Sequence, residues 1–286
     1  MHAPIAQTIS RRYSCRRYEE RPIEAATRRQ LQRALDELHT GPLGTKTRFV
    51  LVAAGEADRQ SLRGLGTYGF IRGATGFIVG AVNEAEKALE DFGYQMEKAI
   101  LAATDLGLGT CWLGGSFTQS SFAKKIGMRT GEFVPAVTAT GYAAPAQTGR
   151  EATFRRRLQA DCRYPWEQLF FDGSPGRSMT PEAAGAYAQA LEMLRIGPSA
   201  SNKQPWRILR AGNAWHFYLQ RTPGYGKGTL LFGILHLADL QRVDIGIAMS
   251  HFELTAQALG LSGRWEVGDP GLAPALEYIV TWRENA

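Results

Sequence analysis

The chain has little of what marks several protein classes. It holds three cysteines in 286 residues, Cys15, Cys111 and Cys162, without metal-ligand spacing. So odd and sparse a set argues against a disulfide framework and suits a reducing cytoplasm. No apolar run approaches the ~18 residues of a membrane span, so no transmembrane helix is expected. The opening residues MHAPIAQTISRRYS carry no apolar h-region, so no secretory leader is expected either. Aromatics are not interleaved with arginines along one stripe, as a single-strand binder prefers, and no nucleic-acid motif is recognised. The net charge of +6 sits in local clusters (Arg11, Arg12, Arg16, Arg17; Arg155, Arg156, Arg157, Arg163). Localised arginine suits one or two phosphates better than a polymer. What remains is ordinary: 44% hydrophobic and 21% charged residues allow a globular core in one large domain or two.

Periodicity predicts helices over 5–12, 24–40, 84–106, 118–126, 181–196 and 238–259. Thr180 is the expected N-cap of the fifth, with Pro181 in its first turn. Strands are predicted over 48–54, 76–82, 134–142, 206–210, 215–219 and 276–282. The stretch 143–180 has weak periodicity and reads as a linker. Helix, strand, strand, long helix therefore occurs twice. Aligning 91–112 (DFGYQMEKAILAATDLGLGTCW) with 244–265 (DIGIAMSHFELTAQALGLSGRW) without gaps gives nine identities in 22 positions. Composition alone would give roughly one or two. Upstream, ALDELHTGP at 34–42 meets ALEMLRIGP at 190–198 with five of nine identical. Amphipathic helices share leucine and alanine for ordinary reasons, but not Gly-Leu, Trp and Gly-Pro in register. An internal duplication is expected, its halves related by a pseudo-twofold axis with the long helices as the natural interface.

Three segments carry chemistry. Arg12-Tyr13-Ser14-Cys15-Arg16-Arg17-Tyr18 offers guanidinium forks and a hydroxyl to a phosphate; a solvated basic turn is the plainer alternative. Gly197-Pro198-Ser199-Ala200-Ser201-Asn202-Lys203-Gln204-Pro205-Trp206 offers small residues and amides to a heteroaromatic edge, against a Pro-rich connection with Trp206 in the core. Gly107 to Gly115 (GLGTCWLGG) is a glycine-rich loop that would expose backbone N–H groups. Gly107 doubles as a helix C-cap, and no dinucleotide fingerprint is present.

These blocks resemble the nitroreductase superfamily over most of the chain. RYSCRRYEERPI is similar to its amino-terminal phosphate motif, and GPSASNKQPWRI to the loop that reaches the flavin ring from the other subunit. LGLGTCWLGG is similar to the loop at flavin N5, and RRRL at 155–158 is a weaker match to further phosphate-binding residues. The resemblance implies an α+β, nitroreductase-like, internally duplicated fold: two antiparallel or mixed sheets flanked by helices, with long central helices at a pseudo-twofold interface. It implies FMN bound by Arg12, Tyr13, Ser14, Arg16, Leu113, Gly114, Gly115, Arg155, Arg157, Pro198, Ser199, Ala200, Asn202 and Gln204. Arg12, Ser14 and Arg16 would hold the phosphate and ribityl chain, Arg155 and Arg157 would help, and Leu113 and Gly114 would lie at N5. Tyr68 and Arg72 are further candidates for the ring edge or acceptor pocket, against a loop aromatic and a solvated arginine, and no catalytic side chain or metal is implied.

The departures set the count. The first half keeps the phosphate motif and N5 loop, but its counterpart of PSASNKQPW is the degenerate GPLGTKTRF at 41–49. The second half keeps PSASNKQPW but lacks the phosphate string. The surviving pieces assign residues 1–172 and 173–286 to two nitroreductase-like halves sharing one FMN, so a monomer is expected. The expected activity is hydride transfer from NADH or NADPH through FMN to a nitroaromatic, quinone or similar small acceptor, with neither nucleic acid nor membrane as partner. A flavin-binding regulatory protein and a flavin-cleaving or dehalogenating relative stay open as alternatives.

Overall fold

The computed structural model describes residues 3–285 apart from 55–61, 63–64, 66, 68, 116, 146–158, 161 and 228–236. The chain divides into two compact units, Met1–Thr153 and Phe154–Ala286.

In the first unit the described elements are α1 (Ile5–Arg11), α2 (Ala25–Asp36), β1 (Thr47–Ala53), β2 (Gly76–Asn83), α3 (Ala88–Asp105), β3 (Gly109–Leu113), α4 (Gln119–Lys125), β4 (Glu132–Phe133) and β5 (Val137–Gly141). The second holds β6 (Phe170–Asp172), α5 (Pro181–Ala184), α6 (Ala188–Arg195), β7 (Trp206–Ala211), β8 (Ala214–Leu219), α7 (Leu240–Ala258), β9 (Gly263–Glu266) and β10 (Glu277–Glu284). The first sheet runs β1-β2-β5-β3, with β4 on β2, and all its pairs are antiparallel. The second runs β6-β7-β8-β10-β9 and is mixed, because β6 joins β7 in parallel. Without β4 and β6 the two orders are the same, element for element. This is the α+β, twice-built fold expected from the repeat.

The residues the repeats share do the same work in both units. Each long helix ends in a paired turn around a left-handed glycine. Leu108 N–H reaches Ala103 O and Gly107 N–H reaches Thr104 O; Leu261 reaches Ala256 and Gly260 reaches Gln257. Gly107 and Gly260 stand at φ 79° and 77°, where a side chain would strain the backbone. The shared tryptophan then ties its strand back to the helix: Trp112 Nε1 donates to Glu97 at 2.7 Å, and Trp265 Nε1 to Glu253 at 2.6 Å. The shared aspartate near the start of each helix holds the Gly-Pro loop. Asp91 accepts from Leu43 and Thr45 N–H, and Asp244 from Ala200 N–H.

β2 and β8 are central strands buried on both faces, which explains continuous apolar runs without alternation. In the second unit Trp206, Trp215, Trp282, Phe217 and Phe252 are wholly buried. Each contributes roughly 2–3 kcal/mol by leaving water.

Four expectations need correction. The segment 109–113 is a strand, not part of a loop: Thr110, Cys111 and Trp112 pair with β5, and the flanking glycines concealed two good strand formers, Thr110 and Trp112. Residues 263–266 likewise form β9. The expected linker holds a turn of 3-10 helix, Trp166–Gln168, and the edge strand β6, too short to show a period. The helix expected over 181–196 is capped by Thr180 as predicted, but breaks at Gly185 (φ 57°) into α5, a 3-10 turn and α6.

Candidate functional site

The amino-terminal motif is an extended segment zipped into the first unit. Beyond α1 the backbone turns extended at Arg12. Ser14 lies beside Thr110 of β3 in parallel, with Cys15 N–H donating to Thr110 O at 2.8 Å. Arg17 lies beside Arg72: Arg72 N–H donates to Arg16 O and Tyr18 N–H to Arg72 O. Tyr18 is the anchor. Its buried hydroxyl donates to Cys15 O at 2.7 Å and Ala139 O at 3.0 Å. Burial, with Cys111 and Cys15 beside it, pushes its pKa well up, so it stays a donor.

The two-residue period of an extended chain puts Arg12, Ser14 and Arg16 on one side and Cys15, buried, on the other. Arg16 Nη1 donates back to the Ser14 backbone carbonyl at 3.3 Å. Ser14 Oγ makes no hydrogen bond among the described residues. Arg12 is drawn inward: its Nε lies 3.8 Å from Glu97 Oε1, and both side chains are buried. Tyr13 is 46% exposed. The motif and the glycine loop, far apart in sequence, are therefore neighbours through Ser14 and Thr110. β3 ends at Leu113, whose side chain is in the core, and the chain leaves the sheet in a bend at Gly114-Gly115. Arg72 is exposed and meets the motif only through backbone. Arg155, Arg157 and Tyr68 lie outside the described residues.

In the second unit, the loop from Gly197 contains a 3-10 turn, Ala200–Asn202. Ser201, Asn202 and Gln204 all adopt left-handed backbone, at φ 50°, 55° and 47°. Such non-glycine residues cost on the order of 1 kcal/mol or more each and persist only where the surroundings over-determine them. Here they do. Ser199 Oγ accepts Gln204 N–H at 2.8 Å, and Asp244 Oδ1 accepts Ala200 N–H at 2.9 Å. Asn202 Nδ2 donates to Gln159 O (2.7 Å) and Cys162 O (3.0 Å), and its Oδ1 accepts from Arg163. Gln204 Oε1 accepts Tyr164 N–H at 2.8 Å. Arg163 also donates to Ile196 O, so it joins the loop's start to its turn. The Asn202 amide is thus committed to Gln159, Cys162 and Arg163 and the Gln204 side-chain carbonyl to Tyr164, and Pro198, Ser199 and Ala200 are half-buried in the same loop.

The first unit's counterpart is a closed turn. Gly41 N–H donates to Thr45 O and Gly44 N–H to Gly41 O, while both Asp91 oxygens are filled from above. A Cβ on Gly41 would collide with the Asp91 carboxyl group, so this loop sits directly on the aspartate. Gly44 is its left-handed residue, at φ 94°.

Sequence reasoning missed Arg163, Asp244 and Tyr225, whose hydroxyl lies 3.3 Å from Ser201 Oγ. Only the Asp244–Asp91 match carried a signal, as part of the repeat. Among the described residues no His, Cys, Asp or Glu cluster could hold a metal ion, and no helix is long and apolar enough to cross a membrane.

Comparison with known proteins places these features in one family. No curated protein matches the chain. A crystal structure from Thermotoga maritima, described as a "putative nitroreductase", is 19% identical, covers 100% of this chain and 96% of its own, and superposes with a TM-score of 0.63; the likeness is one of fold. A Desulfovibrio desulfuricans nitroreductase described as a complex with FMN is 22% identical over 54% of this chain and 96% of its own, at TM-score 0.39. A Clostridium difficile FMN-dependent nitroreductase is 19% identical over 51% and 92%, also at 0.39. The model of the family described as "Putative TM nitroreductase" matches residues 4–256, which takes in the amino-terminal motif, both sheets' central strands and most of both long helices. The chain belongs to that nitroreductase family.

Proposed function

We propose that this chain is a flavoenzyme that takes hydride from NADH or NADPH and delivers it to a nitroaromatic, quinone or similar small acceptor, using one FMN held by residues from both units. The observation that carries the reading is the unequal fate of the repeated loop. In the first unit the loop is closed on Asp91; in the second it keeps three left-handed residues under a dedicated clamp.

The donor set fits the cofactor. Arg12, Ser14 and Arg16 present guanidinium groups and a hydroxyl, the chemistry that a phosphate and ribityl chain require. Pro198, Ser199 and Ala200 would face the ring, with Asn202 and Gln204 fixing their backbone. Leu113, Gly114 and Gly115 would face N5, with Tyr13, Arg155 and Arg157 flanking the phosphate. When bound, FMN supplies the two-electron redox chemistry, and the protein supplies binding, orientation and hydrogen bonds. No acid–base side chain is assigned, and a monomer suffices because both sets of residues lie on one chain.

The test is direct. Purified protein, reconstituted with FMN if necessary, is expected to be yellow, to bleach anaerobically with NADH or NADPH, and to recover its colour on adding a nitroarene or quinone. A yellow protein inert to both nicotinamides would rule out the reductase. A protein that takes up no FMN would rule out the flavin.

A further inference from the structure

Asp244 on α7 repeats Asp91 on α3, yet the two aspartates hold their loops differently. Asp91 gives both oxygens to backbone N–H groups. Asp244 gives only Oδ1, to Ala200 N–H at 2.9 Å; Oδ2 is buried and, among the described residues, has no hydrogen-bond partner, in a residue 2% exposed. A bare carboxylate oxygen in that position is costly, and no cation forms a salt bridge with Asp244 among the described residues. Two other groups bear on it. Asp239, just before α7, is clamped through both oxygens by Arg221. Tyr225 lies against the turn, its hydroxyl 3.3 Å from Ser201 Oγ and its ring 5.5 Å from Lys203 Nζ.

We infer that Asp244 and Tyr225 are positioning residues: through Oδ1 on Ala200 N–H and the phenol on Ser201 Oγ, they set the left-handed turn Ala200–Asn202 that meets the flavin ring. The inference rests on the reading that this turn lines FMN. Asp244 does its part as a neutral acid. Its Oδ1 accepts as a carbonyl and its Oδ2 carries the proton, so no charge is buried unpaired. Burial, aided by Asp239, pushes its pKa well up, against the opposing pull of the Ala200 N–H. The first unit, whose loop is closed, has an aspartate with both oxygens satisfied instead.

The test compares Asp244→Asn, Asp244→Ala, Tyr225→Phe and Asp91→Asn. FMN affinity is read by titration, and protection of the Ala200 amide by hydrogen exchange in the apo-protein. Asn keeps an acceptor oxygen and the neutral charge, so D244N is expected to bind FMN within about threefold of wild type and to keep Ala200 protected. D244A is expected to lose about tenfold in affinity, the worth of one hydrogen bond, and to deprotect Ala200. Y225F is expected to weaken FMN several-fold at an unchanged melting temperature. D91N, which turns an amide NH2 toward a backbone N–H, is expected to lower the melting temperature, unlike D244N. D244N as damaging as D244A would overturn the neutral-anchor inference, as would a D244A variant with wild-type affinity and a protected Ala200. Should D244A not fold, D244N and Y225F decide. If wild type itself takes up no FMN, the functional reading fails, while Ala200 exchange still reports whether Asp244 anchors the turn.

Discussion

Replacing Glu97 with alanine is expected to destabilise the chain by about 3–5 kcal/mol in urea unfolding, the usual cost of breaking a buried ion pair. Glu97 is wholly buried on α3. One oxygen accepts the Trp112 indole N–H at 2.7 Å, and the other lies 3.8 Å from Arg12 Nε. The side chain therefore joins three parts of the candidate site: the helix, the strand before the glycine bend, and the phosphate motif. Truncation leaves an indole N–H without its acceptor and removes the carboxylate facing a buried guanidinium. Glu97→Gln keeps the first contact and loses the second, so its cost should be intermediate. The second unit supplies the control. Glu253 serves Trp265 in the same way but is only half-buried, so Glu253→Ala should cost about 1 kcal/mol. Equal costs at the two positions would show that the full burial of Glu97 and its Arg12 contact add nothing.

Arg12→Ala and Asn202→Ala are each expected to weaken FMN binding by about 10- to 100-fold, although they lie in different halves of the sequence. They should do so by different routes. Arg12 would lose a phosphate donor, so its variant should discriminate less between FMN and riboflavin. Asn202 would lose the three hydrogen bonds that tie the ring-facing loop to Gln159, Cys162 and Arg163, so both ligands should suffer alike. Thr47, in the degenerate repeat, donates through Oγ1 to Leu38 O at 3.0 Å. Thr47→Ala should cost about 1 kcal/mol of stability and leave FMN affinity unchanged. A comparable loss of FMN at Thr47 would contradict the division of labour between the loops.

The repeat was legible in sequence because its shared residues hold the backbone together. An aspartate under a loop, a glycine at a helix end and a tryptophan bonded to the helix tolerate few replacements. The motif segments were legible for a different reason, their resemblance to a family. What was hidden is tertiary. β3 was obscured because its strand formers sit between glycines that suit a loop, and its partner β5 lies beyond α4. The side-chain amides of Asn202 and Gln204 also carry contacts that no local pattern encodes, from Asn202 to Gln159 and Cys162 and from Tyr164 N–H to Gln204. Arg163 looked like one more residue of a basic cluster and is instead a clamp on the same loop. Gly185 interrupted a helix whose apolar period runs straight through it.

In the proposed site, one loop of the duplicated pair serves FMN and the other has closed. The most direct measurement is the number of FMN molecules bound per chain at saturation, from flavin absorbance and amino-acid analysis on the same sample. One per chain is expected. Two per chain would mean that the closed loop over Asp91 still serves a second site, and none would remove the flavin altogether.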